Sequence, residues 1–150
     1  MPRKIPAGLQ EQVRRRANYL CEYCHTNERW QYVRFTIDHL IAESKGGLTI
    51  LANLVLACFH CNRRKSDKLM AVDKQTGREV FLFNPRQDEW ADHFIWSADG
   101  LRIIPRTAIG RATIDLLDLN RERVVRIRAA DLSVNRHPPA DDLIQQSDQK

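Results

Sequence analysis

The sequence predicts an α+β fold, and three observations predict it. Apolar residues recur near helical spacing over 6–20 and 110–120. They alternate over 32–38, as in a half-buried strand. Two C-x-x-C pairs, Cys21/Cys24 and Cys58/Cys61, are separated by 33 residues and bracket that strand. The composition suits such a domain: 43% of the 150 residues are hydrophobic and 29% are charged, close to the globular average. No run approaches the ~20 apolar residues of a membrane helix. The first residues, MPRKIPAGLQEQVRRR, lack the apolar core of an export signal, so a cytoplasmic protein is expected.

Pro6 to Leu20 reads as a helix, with Pro6 at its first turn and Leu9, Val13, Ala17 and Leu20 on one face. Arg14, Arg15 and Arg16 form a basic cluster there, either a solvated face or a phosphate contact. Tyr32 to Asp38 reads as a strand, with Val33, Phe35 and Ile37 turned one way. Residues 40–51 form a loop turning at Ser44-Lys45-Gly46-Gly47. Asn53 to Ala57 is a short buried strand, and Asn62 to Met70 a basic helix. Gly77 marks a turn, Val80 to Phe83 a strand, and Asp88 to Phe94 a helical turn. The Asp99-Gly100 pair between Phe94–Trp96 and Leu101–Ile104 predicts a hairpin. Residues 110–120 resume helical spacing, and 124–130 either extend that helix or form a strand. Residues 134–150 are polar and interrupted by Pro138-Pro139, so a disordered tail is expected. The expected division is 1–75, 76–133 and 134–150.

The charge is uneven. Residues 1–80 hold 14 Lys/Arg against 8 Asp/Glu, and the last twenty hold 2 against 4. A positive field concentrated in one half attracts polyanions, nucleic acid foremost. The cysteine pairs have the spacing of metal knuckles: two can surround one Zn²⁺ with four thiolates at about 2.3 Å. Such a closed site is structural. Two disulfides or a redox C-x-x-C are the alternatives.

Between and beside the knuckles lie Asp38-His39, Gly46-Gly47, Asn53-Leu54 and Cys58-x-x-Cys61-Asn62-x-x-Lys65. From Cys21 to Lys65 the chain resembles the HNH nuclease family in C-E-Y-C, I-D-H-L-I-A-E-S-K-G-G and N-L-V-L-A-C-F-H-C-N-R-R-K. The resemblance implies a ββα-metal finger, here clamped by a structural zinc on Cys21, Cys24, Cys58 and Cys61. It implies His39 as general base, and Asp38 and Asn62 as ligands of one catalytic Mg²⁺ or Mn²⁺. It implies that Asn53 holds the loop that orients His39, and that Lys45, Arg63, Arg64 and Lys65 contact nucleic acid. These residue types suit phosphodiester hydrolysis: imidazole titrates near neutrality, and a hard dication takes carboxylate and amide oxygens. Many members carry proline where Ala42 stands, and the third position of the motif, here Asn62, is often histidine. Amide in place of imidazole favours Mg²⁺ or Mn²⁺ over softer ions.

Residues 80–128 resemble an extension that follows such cores in many bacterial proteins. It is expected either to complete a small core or to present Arg102, Arg106, Arg111, Arg123, Arg126 and Arg128 to DNA or a partner. The function expected is a metal-dependent DNA endonuclease. A zinc-stabilised nucleic-acid-binding module without catalysis and an RNA-directed nuclease are the competing expectations.

Overall fold

The computed structural model describes residues 5–148, which divide into two units. The first unit runs to Leu69 and also includes Asn84–Gln87; the second comprises Met70–Phe83 and the chain from Asp88 onward. The division expected at 75/76 is therefore displaced. Among the described residues, no helix is long and apolar enough to cross a membrane.

In the first unit, helix α1 spans Ala7–Arg16 and buries Val13. Its basic cluster splits. Arg14 is buried and pairs with Glu28 at 3.0 Å while donating to the Phe35 carbonyl at 3.1 Å. Arg16 donates to the Leu51 carbonyl at 2.8 Å. Arg15 stays exposed and pairs with Glu11 one turn back. Two of the three arginines thus fasten α1 to the segments that follow it. Glu28 also accepts the Phe35 backbone N–H at 2.6 Å, which fixes the chain just ahead of the first strand.

Strand β1 covers only Thr36–His39, pairing antiparallel with β2, Leu54–Ala57. The expected strand from Tyr32 starts four residues late. The ladder ends at Thr36 opposite Ala57, because Cys58 begins the second knuckle and leaves 32–35 without a partner strand. Val33, expected inward, is consequently 62% exposed. Helix α2, Phe59–Lys65, starts earlier than expected because Cys58 caps it: its Sγ accepts the Cys61 N–H. It ends at Ser66, whose φ is +53°, so Met70 is released into the next strand.

In the second unit, β3 (Met70–Asp73) and β4 (Arg78–Phe81) form a hairpin. Asp73 anchors it. Fully buried, its carboxylate takes a two-pronged pair of 3.0 Å bonds from Arg111 of α4 (Ala108–Leu117) and a 2.8 Å bond from the Thr76 hydroxyl. That attachment to α4 is why the hairpin belongs with the later chain. Helix α3, Trp90–His93, leads into a second hairpin, β5 (Phe94–Trp96) and β6 (Ile103–Pro105). Asp118, at φ +51°, closes α4, and 122–133 form a separate helix α5. Arg128 of α5 is only 2% exposed; it donates to the Leu101 and Leu119 carbonyls and lies 5.0 Å from the Trp96 ring centroid. Of the six arginines weighed as an outward-facing set, Arg111 and Arg128 are therefore committed inside the unit.

The tail expected to be disordered contains a helix, α6, Ala140–Asp148. Its attachment is polar, which apolar counting overlooks. Asp142 accepts the buried Trp96 indole N–H at 3.0 Å, and Gln146 accepts the Trp96 backbone N–H at 3.1 Å. Leu143 and Ile144 remain exposed.

Asp142→Ala removes the acceptor from a buried indole and should destabilise the second unit by about 1–3 kcal/mol, read as a fall in its melting temperature. The Arg111 guanidinium, then Thr76 and the Gln75 N–H, hold the Asp73 carboxyl well below the usual carboxylate range. The folded form thus binds its proton less readily than the unfolded chain. The resulting stabilisation is complete above the unfolded value of ~3.9 and lost as pH falls below it. Arg111→Met should flatten that part of the acid-unfolding curve.

Candidate metal cluster and active site

The first knuckle is shaped by its backbone. The Cys21 N–H donates to Thr26 O at 2.9 Å, and the His25 N–H returns to Cys21 O at 2.8 Å. The knuckle is tied to β2 by Glu22, whose N–H donates to Leu56 O and whose carboxylate accepts the Leu56 N–H, each at 2.8 Å. Arg86, from the returning segment, pairs with the other Glu22 oxygen. Burial pushes the Glu22 carboxyl up, and the Arg86 charge opposes that shift.

The second knuckle is the β2–α2 junction. Together the pairs bring four buried sulfurs within 4.8 Å of one another, with Cys24 Sγ and Cys58 Sγ 3.8 Å apart. Four ligands at ~2.3 Å around one tetrahedral ion would lie about 3.8 Å from each other, whereas a disulfide needs about 2.05 Å. All four thiols are unlinked. The cage is positioned to bind one metal ion, and four soft thiolates with no open position fit Zn²⁺ in a structural role. His25 and His60 flank the knuckles but are not members of the cluster.

The antiparallel pairing of β1 with β2, and the passage of β2 through Cys58 into α2, bring β1 and α2 together. Asp38, His39, Asn62 and Arg63 line one cleft with Ala42, Glu43, Ser66 and Asp67. Asp38 Oδ2 is buried with no hydrogen-bond partner among the described residues. Burial raises the Asp38 carboxyl, and the Lys65 charge works against that rise. An acceptor oxygen desolvated at a cleft and left unpaired, with an amide side chain on the same wall, is a donor set that fits a hard divalent ion.

His39 Nε2 lies 2.9 Å from Thr49 Oγ1 and 3.6 Å from Glu43 Oε1. Asn53 is buried beneath this loop. Its Oδ1 accepts the Ile41 N–H at 2.9 Å, while its Nδ2 donates to Ile41 O and Leu48 O at 3.0 and 2.9 Å. Gly47 makes this clamp possible: a Cβ there would meet Ile41 O at 1.7 Å and Asn53 Nδ2 at 2.9 Å.

Of the basic residues expected at nucleic acid, Arg63 and Arg64 are exposed on α2, with Arg63 5.9 Å from the Phe59 ring centroid. Lys45 is exposed but pairs with Asp67 at 3.0 Å. Lys65 corrects the expectation. It is 1% exposed, its Nζ has no hydrogen-bond partner among the described residues, and its principal charge interaction is with Asp38. A surface phosphate contact is not open to a side chain buried in that way. Sequence reasoning missed Thr49 and Glu43 beside His39, and Arg86 behind the knuckle. Glu43 stands four residues after His39, a usable signal only for a helix, and here the chain makes a 3₁₀ turn.

Against known proteins, residues 21–68 match the family model described as HNH endonuclease. No curated protein and no solved structure matches the chain.

Purified protein should carry about one equivalent of zinc by elemental analysis. Cys58→Ser should release it and lower stability by several kcal/mol, since ligation contributes directly to folding. Two disulfides without metal in intact-mass analysis would contradict this assignment.

Proposed function

We propose that this chain, whose residues 21–68 match the HNH endonuclease family, hydrolyses phosphodiester bonds in DNA with one divalent ion at Asp38 and Asn62. The observation that carries the reading is the convergence of Asp38, His39 and Asn62 on one cleft, with a buried Asp38 oxygen that has no hydrogen-bond partner among the described residues. A pure binding module has no need of that set. Zinc in the thiolate cage holds β2, α2 and the first knuckle together, and takes no part in the reaction.

His39 acts as general base. The carboxylate of Glu43 near Nε2 favours a proton on that nitrogen, which leaves Nδ1 as the acceptor. Nδ1 takes a proton from water, the water oxygen bonds to phosphorus, and the P–O3′ bond breaks. The leaving 3′-oxygen takes a proton from solvent, giving a 3′-hydroxyl and a 5′-phosphate. A Mg²⁺ or Mn²⁺ bound at Asp38 and Asn62 supplies charge stabilisation for the phosphoryl oxygens and the leaving oxygen. Asn53 keeps the His39 loop in one geometry through its three bonds. Arg63 and Arg64 are placed to contact the flanking phosphates.

The test is cleavage of supercoiled plasmid with Mg²⁺, Mn²⁺ or chelator. His39→Ala should lower the rate about 10²–10⁴-fold while zinc content, melting temperature and DNA affinity stay close to wild type. Asp38→Ala and Asn62→Ala should stop cleavage through loss of the divalent ion, and raised Mn²⁺ should partly rescue Asn62→Ala alone. Wild-type protein that binds DNA and never cuts under any divalent ion would refute the nuclease reading.

A further inference from the structure

Between the first knuckle and β1 the chain makes an outward loop, Arg29-Trp30-Gln31-Tyr32-Val33-Arg34. Its composition is unlike that of an ordinary solvated loop. The Tyr32 side chain is fully exposed at 103%, Val33 is 62% exposed and Trp30 42%. Both arginines are exposed, and the loop contains no acidic residue. Glu28, just before it, is buried and already paired with Arg14, so it offers no counter-charge at the surface. Arg29 lies 4.8 Å from the Tyr19 ring centroid and 5.8 Å from that of Trp30. Its Nε donates to Asn27 Oδ1 at 3.3 Å, and a guanidinium over aromatic rings keeps its remaining donors at their edges.

Leaving the Tyr32 ring wholly in water, and part of the Trp30 ring with it, is costly. Flanking them with unopposed cations selects the ligand. Tyr, Trp and Arg also serve protein interfaces, but three exposed apolar side chains make a far smaller patch than a specific protein interface buries. Nucleobases present π-faces together with phosphates, and sequence-tolerant binding of single strands combines base stacking on aromatic side chains with a cationic track. Duplex bases are already stacked and present no such face.

We propose that the 29–34 loop is a stacking platform for an unpaired stretch of the DNA strand, with Tyr32 and Trp30 stacking bases and Arg29 and Arg34 contacting phosphates. The platform deepens the nuclease reading and rests on it for the choice of DNA. Arg14 and Glu28 fix the loop at its C-terminal end through Phe35, so the platform is anchored to the scaffold that carries β1. Tyr32 precedes His39 by seven residues, a reach of at most about 25 Å. The stacked bases thus lie within several nucleotides of the scissile phosphate along the strand. The enzyme would therefore prefer substrates with an unpaired segment at that distance, such as a fork, gap or flap.

The experiment measures binding of the full chain to a labelled single-stranded oligonucleotide and to a blunt duplex of the same length, with no divalent ion added. Tyr32→Ala should weaken single-strand binding about tenfold and change duplex binding less than twofold. Tyr32→Phe should restore it, because stacking needs the ring and not the hydroxyl. Arg29→Ala or Arg34→Ala should lower the log–log salt slope on the single strand by about 0.7. Trp90 and Trp96 are buried, so fluorescence quenching by the oligonucleotide should come from Trp30 and vanish in Trp30→Leu. Equal losses on single strand and duplex, unchanged single-strand affinity in Tyr32→Ala, or Tyr32→Phe as damaging as alanine would overturn the proposal. So would loss of self-association in Tyr32→Ala with single-strand affinity intact, which would assign the loop to a protein contact. The measurement requires no cleavage, so the role of the loop is decided even for a protein that never cuts DNA.

Discussion

Four sulfurs within 4.8 Å of one another are the constraint on which the first unit depends. The elements they hold are too small to stand alone. β1 and β2 have four residues each and form a sheet of two strands, and α2 has seven residues. A two-stranded sheet is marginal in water, and a helix of two turns is below the length at which propensity sustains it. Bringing Cys24 to Cys58 also closes a loop of 34 residues, whose length-dependent entropy cost is about 3 kcal/mol. Ligation of a metal at the cage would supply free energy well above that figure. An ion held there would fix the first knuckle against the junction of β2 and α2, while β1, which carries Asp38-His39, is held by its ladder to β2.

Beneath the cleft the unit buries a carboxylate and an ammonium. Desolvation pushes Asp38 up and Lys65 down, and the mutual attraction of the two charges opposes both shifts. Lys65 therefore does for Asp38 from the inside what a bound cation does from the outside. It keeps a largely desolvated carboxylate tolerable at the wall of the cleft. Asn53 shows the same division of labour with neutral groups: its amide completes the hydrogen bonds of a loop, and the histidine at the loop's edge gains a fixed position. Neither side chain needs to touch a substrate to matter to it.

The knuckles, the hairpin around Asp99-Gly100 and the buried run of β2 were legible in the sequence because each has a local signature: spacing, a turn pair, continuous apolar residues. The Asp38, His39 and Asn62 set was legible through family resemblance, and the structure brings it to one cleft. Where reading failed, the deciding partner was distant. Val33 fits an alternating pattern, but the strand that would pair with it ends at Ala57. Lys65 has the appearance of a surface base until Asp38 is placed beside it. The last helix lacks apolar residues on its attached side, because its hold on Trp96 runs through Asp142 and Gln146. Arg14 and Arg128 illustrate the same point: a basic residue counted toward surface charge can be committed to an internal carboxylate or carbonyl.

Arg86 gives the chain a temporal order. The segment Asn84–Gln87 belongs with the first unit, although fourteen residues of the second intervene between Leu69 and Asn84. Glu22 sits mostly covered at the first knuckle and has its ion-pair partner 64 residues downstream. During vectorial synthesis the cysteines emerge before that guanidinium leaves the ribosome, so in a nascent first unit Glu22 has the Arg16 charge and the Leu56 N–H but lacks its ion-pair partner until the β3–β4 hairpin has been made. The two units are interleaved along the polypeptide, and no single peptide-bond cut separates them with both intact. A tandem fusion or a genetic transfer that takes only the motif-bearing stretch would leave Glu22 without its Arg86 ion pair.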